Sequence, residues 1–341
     1  MGRRTLDAIV TLFAVLWLGV GQVGCRAEPR EQARSESPPA PPTSVSAPVA
    51  PPQRREPSLP YRYPAADRLV AVGDLHGDLA ATRAVLRLAG AIDDGDNWVG
   101  GKLVLVQTGD QLDRGDDERE ILALLERLGE QAKASGGAVH VLIGNHEAMN
   151  VAGDFRYVTP EGFTDFADVN ADGRVARLAM RAPERMRGRA QAFLPGGVFA
   201  RQLAERNTVV IVGRTVFAHG GVLPVHADYG LGRLNEEVRG WMSGASLNPP
   251  AILDGENSPI WTRRYSSGKL SKSLCSEIDQ VLHRLQVDRM VVGHTVQKHG
   301  ITSACHDKIW RIDVGLSRYY GGGVAALEIA QGKPRVLTPP E

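Results

Sequence analysis

Five short motifs along the middle of the chain carry side chains that bind metals and phosphate. Asp74 and His76 stand two apart in Gly73-Asp74-Leu75-His76-Gly77-Asp78. Asp110, Asp113 and Arg114 share Gly109-Asp110-Gln111-Leu112-Asp113-Arg114-Gly115. Asn145 and His146 follow Gly144 and precede Glu147, His219 precedes Gly220-Gly221, and His294 follows Gly293. Asp74, His76, Asp110, Asn145, His219 and His294 form an oxygen-and-nitrogen donor set suited to two divalent ions, with Mn, Fe or Zn all acceptable to it. Arg114 adds a planar donor fork for phosphate oxygens, and His146 adds a proton carrier. The chemistry these residues fit is metal-assisted hydrolysis of a phosphate ester.

Such donors need a frame that gathers them, and the intervening sequence provides one. Apolar runs at 69–72, 103–106, 139–143, 208–212, 215–218 and 290–292 predict buried strands. All but the run at 208–212 lead into a motif, which suits an α/β sheet that collects ligands at strand carboxyl ends. Helices are expected at 79–88 and 118–128, where apolar residues recur at three-to-four spacing. Further strands are expected at 309–312 and 324–329. The segment 154–197 lacks strand signals and reads as a small, mainly helical cap insert. The alternation of strand, loop and helix gives an α/β catalytic body over residues 61–341.

In this order the motifs resemble the calcineurin-like metallophosphoesterases, and more narrowly the phosphoprotein phosphatases. Val106-Gln107-Thr108-Gly109-Asp110, Arg114-Gly115-Asp116-Asp117-Glu118 and Trp98-Val99-Gly100-Gly101 are similar to the Shewanella-like branch. The resemblance spans residues 69–329 and implies a two-sheet β-sandwich flanked by helices. It implies that Asp74, His76 and Asp110 hold one metal, and that Asp110, Asn145, His219 and His294 hold a second. Many relatives in the wider family carry another histidine where Val296 stands here, a departure that fits the phosphatase branch. By the same resemblance a hydroxide shared by the metals attacks phosphorus directly. Arg114, Asn145, His146 and Arg263 bind phosphate, and His146 protonates the leaving group with Asp113 orienting its ring. Arg264 is the alternative to Arg263. The expected substrate is phosphoprotein, with phosphotyrosine and phosphoserine or phosphothreonine both open. A nucleotide or dinucleoside-polyphosphate hydrolase is the competing enzyme, and a non-catalytic exported protein that kept its metal site is the competing class.

The remaining sequence bounds this reading. With 341 residues, 43% hydrophobic, 23% charged and a net charge of +1, the chain is ordinary globular material with no nucleic-acid signature. Arg3 and Arg4 before the apolar run at 8–20 predict an export signal over 1–25, because a spanning helix needs ~20 apolar residues. Val23-Gly24-Cys25 resembles the end of a lipoprotein box, although Gln22 departs from it. Two outcomes stay open: membrane attachment through a lipidated Cys25, or plain cleavage into a periplasmic space. Residues 26–60 are Pro-rich and read as a solvated tether. Cys275 and Cys305 could pair in an exported chain or remain separate thiols. His226, five residues past Gly221, is a further histidine outside the motifs that could join the site. Asp168-Val169-Asn170-Ala171-Asp172-Gly173 resembles half of a calcium loop, but Ala179 stands where a bidentate Glu is required. The stretch 184–189 reads as a solvated face.

Overall fold

A computed structural model describes residues 59–340; the expected signal, Cys25 and the tether up to residue 58 lie outside the described residues. The strands are β1 (Arg62–Tyr63), β2 (Arg68–Val72), β3 (Val104–Gln107), β4 (Ala138–Val141), β5 (Val209–Val212), β6 (Thr215–Ala218), β7 (Arg289–Val292), β8 (Thr302–Ala304), β9 (Ile309–Arg311), β10 (Ala326–Ala330) and β11 (Lys333–Leu337). The α-helices are α1 (Leu79–Leu88), α2 (Glu118–Ala134), α3 (Asn145–Val151), α4 (Pro160–Thr164), α5 (Gly173–Ala179), α6 (Arg187–Phe193), α7 (Val198–Ala204), α8 (Pro224–Tyr229), α9 (Leu231–Met242) and α10 (Lys272–Leu285).

The strands form two mixed sheets. One runs β1-β5-β6-β7-β9-β8, and the other β11-β10-β2-β3-β4. Alternation along β2 shows how they stack. Leu69 and Ala71 pack with Val106, Val210, Phe217, Val291 and Trp310 between the sheets. Val70 and Val72 point the other way, against Val85 and Leu86 of α1 and Ile121, Leu125 and Leu128 of α2. The opposite face of the other sheet packs Val209, Ile211, Val216 and Met290 against α9 and α10. Strands covered on both faces need continuous apolar runs rather than alternating ones. Each such Val or Leu contributes roughly 1.5–3 kcal/mol on burial. The result is helices, sheet, sheet, helices, as expected from the sequence.

Register gathers the motif loops at one edge. β2 and β3 are parallel, with Val72 opposite Gln107, and β6 and β7 are parallel, with Ala218 opposite Val292. Asp74 and Asp110 therefore leave neighbouring strands together, as do His219 and His294. The β2 and β3 loops are pressed backbone to backbone. A Cβ on Gly77 would stand 2.6 Å from the carbonyl carbon of Gly115, and one on Gly115 would overlap Gly77 in return.

Several elements differ from expectation. α2 continues through Gly129 to Ala134 because Ala132 prolongs its buried stripe. β1, β8 and β11 carry no apolar run of their own, and each lies at a sheet edge. Segment 154–197 holds α4, α5 and α6 and no strand. Cys275 on α10 and Cys305 beyond β8 are joined by a disulfide, with Cα atoms 5.4 Å apart. Among the described residues no helix is long and apolar enough to cross a membrane.

Candidate active site

At the shared edge the predicted metal ligands converge. His219 Nε2 lies 2.8 Å from Asn145 Oδ1, 3.1 Å from His294 Nδ1 and 3.1 Å from Asp110 Oδ2. His76 Nε2 lies 3.9 Å from Asp74 Oδ2 and 3.8 Å from Asp110 Oδ2. Asp110 thus stands between the two groups, where a bridging carboxylate belongs. The histidines are aimed by main-chain carbonyls. His76 Nδ1 donates to Leu112 O (3.1 Å) and His219 Nδ1 to Thr108 O (3.0 Å), which leaves each Nε2 lone pair facing the centre. The His294 N–H donates to both oxygens of Asp74, at 3.3 and 3.2 Å, tying the loops of the two sheets together.

These residues fit a pair of divalent ions. Asp74, Asp110 and Asp313 are three buried carboxylates lining one cleft. His294 Nε2 is buried and has no hydrogen-bond partner among the described residues. His76-Asp110-His146 and Asp110-His219-His294 each place their ligand atoms within 4.8 Å of one another. Such a cluster is costly without cations. Burial, reinforced by Asp313 and Asp110, holds the Asp74 carboxyl well above its usual range. Burial alone would raise Asp110 as well, but the His219, His146 and His76 rings around it hold it well below. Burial lowers His76 to about 4 and His294 to about 2, so both rings are neutral and able to ligate near pH 7.

Behind Asp110, α3 delivers His146. His146 Nδ1 donates to Asp113 Oδ2 at 2.6 Å, and its N–H donates to Asp110 Oδ1 at 3.0 Å. Burial works to lower His146, but the Asp110 and Asp113 carboxylates overcome it and raise the ring above its ordinary value. Glu147, absent from the sequence-derived site, clamps the β3 loop. Its carboxylate accepts N–H bonds from Gly144, Asp110, Gln111 and Leu112. Asp113 and Arg114 have φ of 66° and 74°, a left-handed conformation that non-glycine residues hold only when neighbours enforce it.

The rim is cationic and aromatic. The Arg114 guanidinium carbon lies 3.9 Å from the centre of the Tyr157 ring and 4.8 Å from that of Tyr319, and Nη1 donates to the Tyr319 hydroxyl at 3.0 Å. Arg263 Nη1 donates to His294 O (2.6 Å) and Thr295 Oγ1 (3.0 Å), and the side chain lines the cleft. Arg264 turns away to Glu277, at 2.7 and 2.8 Å. The two sequence alternatives therefore separate, with Arg263 on the cleft side. The cleft has a volume of about 710 Å³, and Trp261, Tyr157 and Tyr320 contribute to its wall.

Residues 67–298 match the calcineurin-like phosphoesterase family. The chain belongs to that family. It is 41% identical over 295 residues to Shewanella-like protein phosphatase 2 of Arabidopsis thaliana, covering 78% of this chain and 75% of that one. It is 28% identical to Shewanella-like protein phosphatase 1 of Plasmodium berghei, over 75% and 69% of the two chains. Among solved structures, the cold-active protein-tyrosine phosphatase of a psychrophilic Shewanella species superposes with a TM-score of 0.63 at 26% identity, covering 82% and 83%. This phosphoesterase is therefore a hydrolase of the phosphatase type, from a family that uses divalent metals.

Other residues singled out in the sequence lie elsewhere. His226 is buried in α8, where Nδ1 accepts the Leu223 N–H, and it takes no part in the cleft. Asp168 pairs with Arg119 at 2.7 Å, and the calcium-like segment runs on from it as irregular backbone into α5. The solvated face expected at 184–189 needs correction at Arg189. That residue is fully buried, bound to Asp113, Glu118 and Asn150, because its helix packs beneath the dyad. Asp313, also missed, lines the cleft, and burial pushes its carboxyl up to about 6. Its position after the predicted strand at 309–312 was the available signal.

Proposed function

We propose that this phosphoesterase is a two-metal phosphomonoesterase acting on phosphoprotein. The observation that carries the reading is one cleft lined by Asp74, His76, Asp110, Asn145 and His294 and by His146, Arg114 and Arg263, with His219 and Asp113 buried directly behind it. Asp74, His76 and Asp110 would hold one ion, and Asp110, Asn145, His219 and His294 the other. When bound, such a pair supplies a water-derived nucleophile at neutral pH and Lewis-acid polarisation of phosphoryl oxygen. The chain's own residues do the rest. Arg114 and Arg263 offer donor forks from two sides to the non-bridging oxygens, where transition-state charge accumulates. Their partners, Tyr319 and the His294 carbonyl, keep both forks oriented. His146, held by Asp113, donates its Nε2 proton to the leaving oxygen as the P–O bond breaks.

The wall of Tyr157, Trp261 and Tyr320 supports an aromatic phosphoester, and the likeness to a protein-tyrosine phosphatase points the same way. Phosphotyrosine is therefore the favoured substrate. Phosphopeptide hydrolysis with added Mn²⁺ tests this, with matched peptides carrying phosphotyrosine, phosphoserine and phosphothreonine. Turnover of phosphotyrosyl peptide at least tenfold above the others is expected. Preference for phosphoserine or a dinucleoside polyphosphate would overturn it. Export is part of the same reading, supported by the apolar run before Cys25 and by the Cys275–Cys305 disulfide, a bond of oxidising compartments. Fractionation of cells expressing the wild type and Cys25→Ser tests it. Release of the variant from the membrane fraction is expected, and a wholly cytosolic wild type would refute export.

A further inference from the structure

We propose that Arg189, carried by the helical insert, is a positioning residue for the proton-donating His146–Asp113 pair. The inference rests on the phosphatase reading of the site and assigns the insert a part in the chemistry.

The geometry is specific. The Arg189 side chain is fully buried and packs against the touching pair Phe166 and Phe193, whose ring centres lie 5.1 and 5.0 Å from its guanidinium carbon. Nε donates to Asn150 Oδ1 at 2.8 Å. Nη1 donates to Gly162 O at 2.9 Å and to Glu118 Oε2. Nη2 donates to Glu118 Oε1 at 2.9 Å and Asp113 Oδ1 at 3.3 Å. Every nitrogen of the fork is engaged, and all but one of these bonds run to the catalytic body rather than to the insert.

Asp113 makes four contacts, and three of them involve Arg189, directly or through a shared partner. Its Oδ2 faces His146, while Oδ1 accepts from Arg189 and from Asn150 Nδ2, the latter at 3.0 Å. Its backbone N–H donates to Glu118, the carboxylate that Arg189 grips. Asn150, aligned by the same guanidinium, returns a bond to His146 O at 2.9 Å. His146, Asp113, Arg189 and Glu118 thus form a row of alternating charge when the imidazole is protonated. A buried carboxylate that loses one partner of such a network reorients toward those that remain. Without Arg189, Asp113 no longer has a fixed plane in which to present Oδ2 to the ring. Arg189 touches neither the predicted ligands nor the arginines of the cleft, so its influence on turnover passes through His146.

Steady-state kinetics with phenyl phosphate and nitrophenyl phosphate test this, using the Mn-reconstituted full chain. Arg189→Met and Arg189→Lys are each made alone and with His146→Asn, and bound metal and unfolding midpoint are recorded. Arg189→Met should lower kcat on phenyl phosphate by about 30-fold and on nitrophenyl phosphate by about threefold, because the latter leaving group needs little protonation. KM and metal content should stay near wild type. In the His146→Asn background Arg189→Met should cost nothing further. Arg189→Lys should recover part of the loss, and it carries the same comparisons if Arg189→Met fails to fold. Equal losses on both substrates, or a further loss in the His146→Asn background, would overturn the proposal. Equal losses for His146→Asn alone would instead remove the acid assignment on which the proposal depends.

Discussion

The floor of the cleft and its rim are built on different principles. On the floor, Asp74, His76, Asp110, Asn145 and His219 are buried, and main-chain carbonyls or N–H groups aim most of them. On the rim, Arg114 lies between tyrosine rings and Arg263 leans on a carbonyl and a hydroxyl, both partly open to solvent. The floor must fix ligand atoms within tenths of an ångström, which backbone contacts achieve. On the proposed reading the rim admits a substrate and then closes its donors on moving charge, which side-chain contacts allow. Substitutions on the floor should therefore abolish chemistry and metal retention together, whereas those on the rim should scale rates with metal content intact.

The most severe test of that contrast is Asp110→Ala. Removing the carboxylate between the two ligand groups should cost at least about 10³-fold in kcat and release metal measured by mass spectrometry. Full metal content with the same loss would break the contrast. His146→Asn comes next, with about 10²-fold or more lost on alkyl or phenyl phosphates and only a few-fold on nitrophenyl phosphate. Comparison across a leaving-group series checks it. On the rim, Arg263→Ala should lower kcat/KM by roughly 10- to 100-fold through loss of charge-assisted bonds. Arg264→Ala, whose partner is Glu277, should stay within about twofold. Equal effects from the two arginines would mean that the cleft side has been misassigned. Among the rim contacts the smallest effect belongs to Tyr319→Phe, which deletes one hydroxyl contact to Arg114 and should raise the KM for phosphopeptide about fivefold with kcat little changed.

The same division governs what could be read in the sequence. Strands ending in Gly-Asp or His-Gly-Gly were legible because both-face burial demands unbroken apolar runs, and helix α1 was legible because its apolar stripe is regular. The edge strands β8 and β11 were not, since residues 302–304 and 333–337 carry no such run and exist through pairing with β9 and β10. Floor residues were legible for the same reason as the strands they terminate. Asp313, Glu147 and Arg189 were hidden because their partners are distant in sequence or their roles lie in main-chain N–H groups. Arg189 is 76 residues from Asp113. Tyr157 and Tyr319 flank one guanidinium from widely separated stretches of the chain, and no local pattern could join them.

The glycines that close the first two motifs set a dimension of the molecule. Gly77 and Gly115 meet with no side chain between them. They act as a gauge of zero thickness between the loop that carries Asp74 and His76 and the loop that carries Asp110 and Arg114. Bulk added to either would wedge the loops apart, and bulk added to both would wedge them further, so neither change can compensate the other. The interval from Asp74 and His76 to Asp110 and Arg114 is thereby written into the shortest residue type available.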